Sequence, residues 1–260
     1  MRGLAPIRSL LARGALLLLV ALVALQLYFL LRVALMAWVD PVSTTFQRSE
    51  IRRLLTHKQP VAWSRRWVDY DRIGNPLKRA VIAAEDAGFA EHSGVEWEAL
   101  EKAWERNQQA QARSDQAARR LEAAAARRGT TPAEPPRARV VGGSTITQQL
   151  AKNLFLGSER SLARKAQEIV IVWMLEACLP KRRILEIYLN NVEWGEGVFG
   201  AEAAAQHYFR RSAAALTPQQ AAQLAIMLPA PKRFEQRPGS AYVLARAATI
   251  VARMPAVAVP

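Results

Sequence analysis

Cysteine is nearly missing from this chain. Cys178 is the single one in 260 residues, which excludes an internal disulfide framework, and one cysteine with three scattered histidines offers no zinc-ligand spacing. Acids are scarce beside bases, 22 against 36, leaving a formal charge of +14 and a pI near 10.8. Such a balance calls for an anionic partner: nucleic acid, lipid headgroups or a phosphate-bearing substrate. Runs of strand-like alternation are also lacking, so the fold expected is all-α. What is abundant is apolar residue, 51 % of the chain, enough to fill the core of one large domain or two small ones.

Much of that apolar content lies near the start. From Gly14 to Leu31 the residues are almost all Leu, Val and Ala with Gln26 as the one strongly polar side chain, and Val33 to Val39 continue the run after Arg32. The length suffices to cross a bilayer. Arg2, Arg8 and Arg13 precede it and no acid does, which places residues 1–13 in the cytoplasm and a single-pass anchor at 14–39 in the cytoplasmic (inner) membrane. The rest of the chain is then periplasmic or extracellular. A cleaved signal peptide also begins with basic residues, but its apolar core runs only about 7 to 15 residues. Outside the cytoplasm nucleic acid is out of reach, so anionic lipid or a lipid-linked phosphate is the expected target.

Residues 40–76 read as a membrane-proximal connector punctuated by Pro41, Pro60, Gly74 and Pro76, with a short helix over 51–56. The globular domain is expected over 77–260. A first apolar helix, 78–87, terminates in Glu85-Asp86 and Gly88. Helical periodicity holds over 97–104 and then decays into a segment at about 107–138, poor in bulky apolar residues, that is either a mobile helical flap or a disordered insertion. Ser161 caps a helix through Leu179 whose centre, 169–175, is apolar all round, the pattern of a helix in the middle of a protein. Pro180 breaks it and opens the next, over 181–189, and Thr217 with Pro218 opens another that Pro229 and Pro231 end.

The densest chemistry lies in Gly142-Gly143-Ser144-Thr145-Ile146-Thr147-Gln148-Gln149-Leu150-Ala151-Lys152-Asn153. Two glycines allow a sharp turn and close approach of a ligand, and Ser144 or Thr145 then sits as a helix cap, with Gln148 completing a capping box if Thr145 is the cap. Gln148 and Lys152 share one face while Ile146, Leu150 and Leu154 cover another. Amides suit sugar hydroxyls and a cation suits a phosphate, although an ordinary capped helix with a wet polar face has the same pattern. Two acids sit in suggestive company as well. Glu85 is followed by Asp86, Phe89, His92 and Gly94, and Glu168 lies four and three residues after Arg164 and Lys165, on one helical face.

Taken together, Glu85-Asp86-x-x-Phe89-x-x-His92-x-Gly94, the Gly143 to Asn153 run, Arg164-Lys165-x-x-Glu168 and Ile184-Leu185-Glu186-x-Tyr188-Leu189-Asn190 closely resemble the peptidoglycan glycosyltransferases (transglycosylases) of glycosyltransferase family 51, over about residues 77–232. Asn191-Val192-Glu193-Trp194-Gly195 and the Gly197 to Ala204 stretch look most like the monofunctional biosynthetic branch, and no Ser-x-x-Lys of a transpeptidase occurs in the chain.

The resemblance implies a lysozyme-like helical domain behind one transmembrane helix, using lipid II and the nascent glycan strand, with the membrane and cell-division or elongation proteins as partners. It implies Glu85 and Glu168 as the catalytic pair, Glu85 being the general base. Asp86, Ser144, Gln148, Gln149, Lys152, Asn153, Arg160, Arg164 and Lys165 would bind sugar and pyrophosphate. It brings no metal-ligating side chain; a divalent cation, Mg or Mn, at the pyrophosphate is the one cofactor the chemistry admits. His92 and Glu186 read as structural, the first hydrogen-bonded and the second in a helix-packing ion pair. A lysozyme-like glycan-cleaving enzyme and a non-catalytic membrane-anchored scaffold share the architecture, but a neutral glycan leaves the cationic cluster without a phosphate to hold.

Overall fold

The computed structural model describes residues 4–56, 63–128, 130–131, 134, 142–157, 159 and 161–260. The first helix, α1, runs over Leu4–Leu35, and its Leu11–Leu35 stretch is long and apolar enough to cross a membrane, with a mean hydropathy of 2.5. Turns at residues 36–39 follow, ahead of Pro41, so the helix starts earlier and stops sooner than the 14–39 expected. Its last turns bury Phe29, Val33 and Met36 against the body of the protein. Gln26, the odd polar residue of the run, exchanges two amide hydrogen bonds with Gln167, at 2.8 and 3.0 Å. A paired amide in an apolar setting removes the cost of two unsatisfied polar groups.

The expected connector over 40–76 is largely part of the packed domain, which is a correction. Thr44 and Gln47 form a reciprocal capping box, Thr44 N–H to Gln47 Oε1 at 3.1 Å and Gln47 N–H to Thr44 Oγ1 at 3.0 Å, that starts α2 (Thr45–Thr56). Helix α2 lies against a later helix, where Thr45 Oγ1 donates to the Leu154 carbonyl at 3.0 Å. Further on, β1 (Ser64–Arg65) joins a small sheet, and Val68 and Tyr70 are buried. Trp63, part exposed, packs on Phe199 with ring centroids 4.6 Å apart.

Helix α3 (Asn75–Glu85) buries Leu77, Ala80, Val81 and Ile82, and ends at the first candidate acid. Helix α4 (Trp97–Arg128) is one continuous helix, where the sequence reading lost the pattern after residue 104. Ala, Arg, Glu and Gln favour helix without needing a buried face, and only Ala103 and Ala125 of α4 are buried. The remainder of the 107–138 insertion lies mostly outside the described residues. Helices α5 (Ile146–Phe155), α6 (Leu162–Cys178) and α7 (Lys181–Asn191) pack on one another, with Thr145 and Ser161 as side-chain caps and Pro180 between α6 and α7.

Strands β2 (Glu193–Gly195) and β3 (Val198–Phe199) complete a sheet of order β1-β3-β2, parallel between β1 and β3 and antiparallel between β2 and β3. Gly200 then turns at φ +85°, where an added Cβ would meet the Asn190 carbonyl oxygen at 2.8 Å. Helices α8 (Ala201–Phe209), α9 (Pro218–Met227), α10 (Pro231–Phe234) and α11 (Ala241–Arg253) close the domain, with Thr217 capping α9 through a box with Gln220. The fold is therefore helical with one short sheet.

Helix α6 departs from expectation. Its inner face buries Ile171, Val172 and Leu175, and α1 covers part of the rest, but Trp173 and Leu162 are exposed. An all-round apolar helix is here a border between protein and the side on which the membrane-length helix lies.

Candidate active site

Glu85 closes α3, and its Oε2 accepts a hydrogen bond from Gln149 Nε2 at 2.7 Å. The other end of that amide is held too, Tyr188 O–H donating to Gln149 Oε1 at 2.9 Å. Burial pushes the Glu85 carboxyl above the usual glutamate range; Gln149 counters this, Asp86 adds to it and the Lys152 ammonium opposes it. A carboxyl so placed is suited to exchange a proton nearer neutral pH than an ordinary surface glutamate.

Asp86 serves the scaffold. Its Oδ2 accepts the Ile146 N–H at 2.9 Å, one of the orphan donors at the start of α5, and its Oδ1 faces His92 Nε2 at 2.7 Å. His92 Nδ1 accepts from the Gly94 N–H at 3.0 Å, so the proton belongs on Nε2 and points at Asp86. Thr145 Oγ1 donates to the Gly94 carbonyl at 2.6 Å while accepting the Gln148 N–H, and the Gln148 side chain returns to the Thr145 N–H at 3.0 Å. Asp86 and Gln148, expected to bind substrate, are thus buried and engaged in pinning the turn before α5 to the end of α3. Asp86, His92 and Glu96 are also the one group of acids and histidine, among the described residues, close enough to converge on a cation. With both Asp86 oxygens and both His92 nitrogens in use, that group fits a hydrogen-bond network rather than a metal centre.

Glu85 lines one cavity and its partner Gln149 lines another. The smaller, about 200 Å³, is lined by Glu85, Glu96, Lys102, Arg106, Gly143 and Ser144. Gly143 lets α4 approach, since a Cβ there would stand 2.9 Å from that of Ala103. The larger, about 460 Å³, is lined by Gln149, Lys152, Asn153 and Arg164 on one side and by Glu193 and Leu228 on another. The two share no lining residue and are linked by the Gln149–Glu85 hydrogen bond.

The cations of the larger cavity are prepared for an anion. Lys152 opens to solvent, yet crowding by protein pulls its ammonium below the usual lysine range; Glu168 and Glu85 oppose this, and Arg164 and Lys165 reinforce it. Arg164 gives Nη1 to Glu168 Oε2 at 2.9 Å, while its Nε is buried and donates to no group. Glu168 is 3 % exposed, with Lys165 on its other oxygen, so it fixes both cations from behind and lines neither cavity. Arg160 lies outside the described residues.

Of the residues predicted, Gln149, Lys152, Asn153 and Arg164 line the larger cavity and Glu85, Asp86 and Ser144 the smaller, with Glu168 paired to Arg164 and Lys165. Glu186 accepts from Arg183 at 2.7 Å and from the Tyr70 N–H at 2.8 Å, the helix-packing role read from sequence. Sequence reasoning quoted Tyr188 and Glu193 without giving either a role. Burial raises the Glu193 carboxyl to about 7, opposed by Lys232 and supported by Glu50 and Glu235.

A family model described as transglycosylase matches residues 52–118 and 121–255. The chain is 46 % identical over 235 residues to a biosynthetic peptidoglycan transglycosylase of Bordetella pertussis, spanning 90 % of this chain and 88 % of that protein. Its likeness to the protein of the same description from Janthinobacterium sp. (strain Marseille) is 46 % over 237 residues, 91 % of each chain. With that of Paraburkholderia phytofirmans it is 43 % over 256 residues, 98 % of this chain and 95 % of the relative. A helical body, a half-buried acid lining a cavity and these matches along most of the length agree, and the chain belongs to the transglycosylase family.

Proposed function

We propose that the protein polymerises peptidoglycan glycan strands, transferring disaccharide-peptide units from an undecaprenyl-pyrophosphate-linked donor, lipid II, to the 4-hydroxyl of an acceptor with inversion at the donor carbon. The observation that carries this reading is the junction at Gln149. A half-buried carboxyl with a raised pKa lines one cavity, and its hydrogen-bond partner Gln149 lines a second together with Lys152 and Arg164.

The donor's pyrophosphate is drawn to Lys152 and to the unused Nε of Arg164, whose guanidinium is held by Glu168 together with Lys165. The acceptor lies in the smaller cavity, its 4-hydroxyl toward Glu85. As the acceptor oxygen forms its bond to donor C1, the bond from C1 to phosphate oxygen breaks, the electron pair leaves with the pyrophosphate and the hydroxyl proton passes to Glu85. Pyrophosphate leaves without protonation because the fixed cations take up its charge. Ser144 and Asn153 supply hydrogen bonds to sugar and phosphate oxygens. Arg2, Arg8 and Arg13, ahead of the apolar run, support a cytoplasmic N-terminus and a catalytic body on the outer side of the membrane.

Purified full-length protein is expected to build polymer from labelled lipid II. Glu85→Gln should lower the rate by at least about 100-fold, the range lost with a general base, with far-UV dichroism unchanged. Polymerisation at the wild-type rate by that variant removes Glu85 from the mechanism.

A further inference from the structure

Glu193 is the only acid among the described residues lining the cavity of Lys152 and Arg164, and the reaction proposed above gives it no task. Its placement is tightly determined. Strand β2 pairs Glu193 with Phe199, which fixes the backbone, and the residue is 6 % exposed. A carboxylate so buried needs partners to offset lost hydration. Lys232 supplies one only at a distance: its Nζ is bonded to Glu50 and stands 3.5 Å from Glu193 Oε1. That oxygen accepts no hydrogen bond within the protein and is closed to solvent, while the residue it belongs to lines a cavity large enough for a sugar.

Its electrostatic surroundings say which part of a ligand it meets. The charges that act on Glu193 are those of Lys232, Glu50 and Glu235, and neither Lys152 nor Arg164 is among them. A carboxylate repels a phosphate that enters the same cavity. A ligand whose anionic end is drawn to Lys152 and Arg164 presents an uncharged part to Glu193. On a disaccharide, the groups able to donate there are hydroxyls and acetamido N–H groups.

We propose that Glu193 is a substrate-contacting residue whose carboxylate accepts a hydrogen bond from a hydroxyl or acetamido N–H of the donor sugar, with Lys232 easing its ionisation. The inference rests on the glycosyl-transfer reading and adds a binding contact to it. An ionised acceptor forms a stronger hydrogen bond than a neutral one, so the contact is tightest above the carboxyl's own titration. The groups facing that carboxyl are Lys232, Glu50, Glu235 and Tyr208, with Arg53 behind Glu50.

The test is steady-state polymerisation of labelled lipid II by the full chain at pH values on both sides of about 7, in wild type, Glu193→Gln and Glu193→Leu. Wild-type KM should fall as pH rises through about 7. Glu193→Gln keeps an acceptor oxygen but cannot ionise, and its KM should lose that fall. Glu193→Leu should raise KM about ten-fold at the upper pH with kcat within about two-fold, the pattern of a lost binding contact. A leucine variant with wild-type KM, or a glutamine variant that retains the full pH dependence, overturns the proposal. Where the leucine variant does not fold, the glutamine profile decides. Failure of the wild type to make any polymer overturns the transferase reading and this inference with it, and is distinguished by needing no variant.

Discussion

Gln149 and Glu85 are joined by a 2.7 Å hydrogen bond in which the amide can only donate, because Tyr188 O–H occupies its oxygen. Amide nitrogen and oxygen differ little in shape, so the orientation depends on that hydroxyl.

Removing the hydroxyl should therefore be read in the pH profile. In Tyr188→Phe the amide is free to turn its oxygen toward the carboxylate, and the one hydrogen bond that lowers the Glu85 pKa is weakened. A base works in its ionised form, so the rate rises with pH through its pKa, and a carboxyl pushed higher becomes active later. The acid limb of kcat/KM should move upward by about one pH unit, with the rate well above it within a few-fold of wild type. An unmoved limb would show that Tyr188 does not orient Gln149.

Lys152 should govern donor affinity. Its ammonium is held below the usual lysine range by crowding, and an incoming pyrophosphate restores it, so binding should take up protons and weaken as pH rises through the lowered pKa. Lys152→Ala should cost about ten-fold or more in affinity for a lipid pyrophosphate, since a hydrogen bond to a charged group contributes about 1.5–3 kcal/mol. Equal affinity of both forms, measured by direct binding, contradicts this.

Asp86 should matter to stability before it matters to chemistry. Its two oxygens hold the first N–H of α5 and the His92 ring, and Asp86→Ala leaves both without a partner. A loss of about 3 kcal/mol in urea unfolding is expected, with Asp86→Asn losing less. A variant as stable as wild type would return Asp86 to the list of substrate ligands.

Glu193 makes an opposite prediction about stability and pH. Its folded pKa is raised from 4.5 to about 7, so the native state holds the proton more tightly than the unfolded chain. The associated stability is complete below about 4.5 and is lost as pH rises through about 7. The loss is on the order of 3 kcal/mol, and Glu193→Gln, having no proton to lose, should escape it. Thermal unfolding of both proteins at acid and alkaline pH checks the sign: the midpoint difference should favour the variant only on the alkaline side.

Local chemistry was legible wherever one stretch of sequence contained both partners. Thr145 with Gln148 and Thr217 with Gln220 are caps three residues apart, and Pro180 marks the break between α6 and α7. The run of α4 past residue 104 was not legible from periodicity, because a helix with few buried residues has no apolar stripe to repeat. Glu85, Lys152 and Arg164 could be read as candidates from residue type. Whether an amide or carboxylate faces a ligand or a backbone N–H could not, since Gln148 and Asp86 carry the same groups as true ligands do. Tyr188 needs Gln149, a partner 39 residues away, to reveal its part. The connector was misread because its turn residues are real while the pairing of β1 with β3 depends on residues far along the chain.

The Gln26–Gln167 pair makes the anchor something other than a leash. Two amides locked face to face, with Phe29 wedged beside them, set both the roll and the height of the first helix against the element that carries Arg164. A carpenter's plane cuts at one depth because its blade is clamped in the body. By the same logic, in the membrane-anchored transferase proposed above the guanidinium would be carried at a set height beside the first helix.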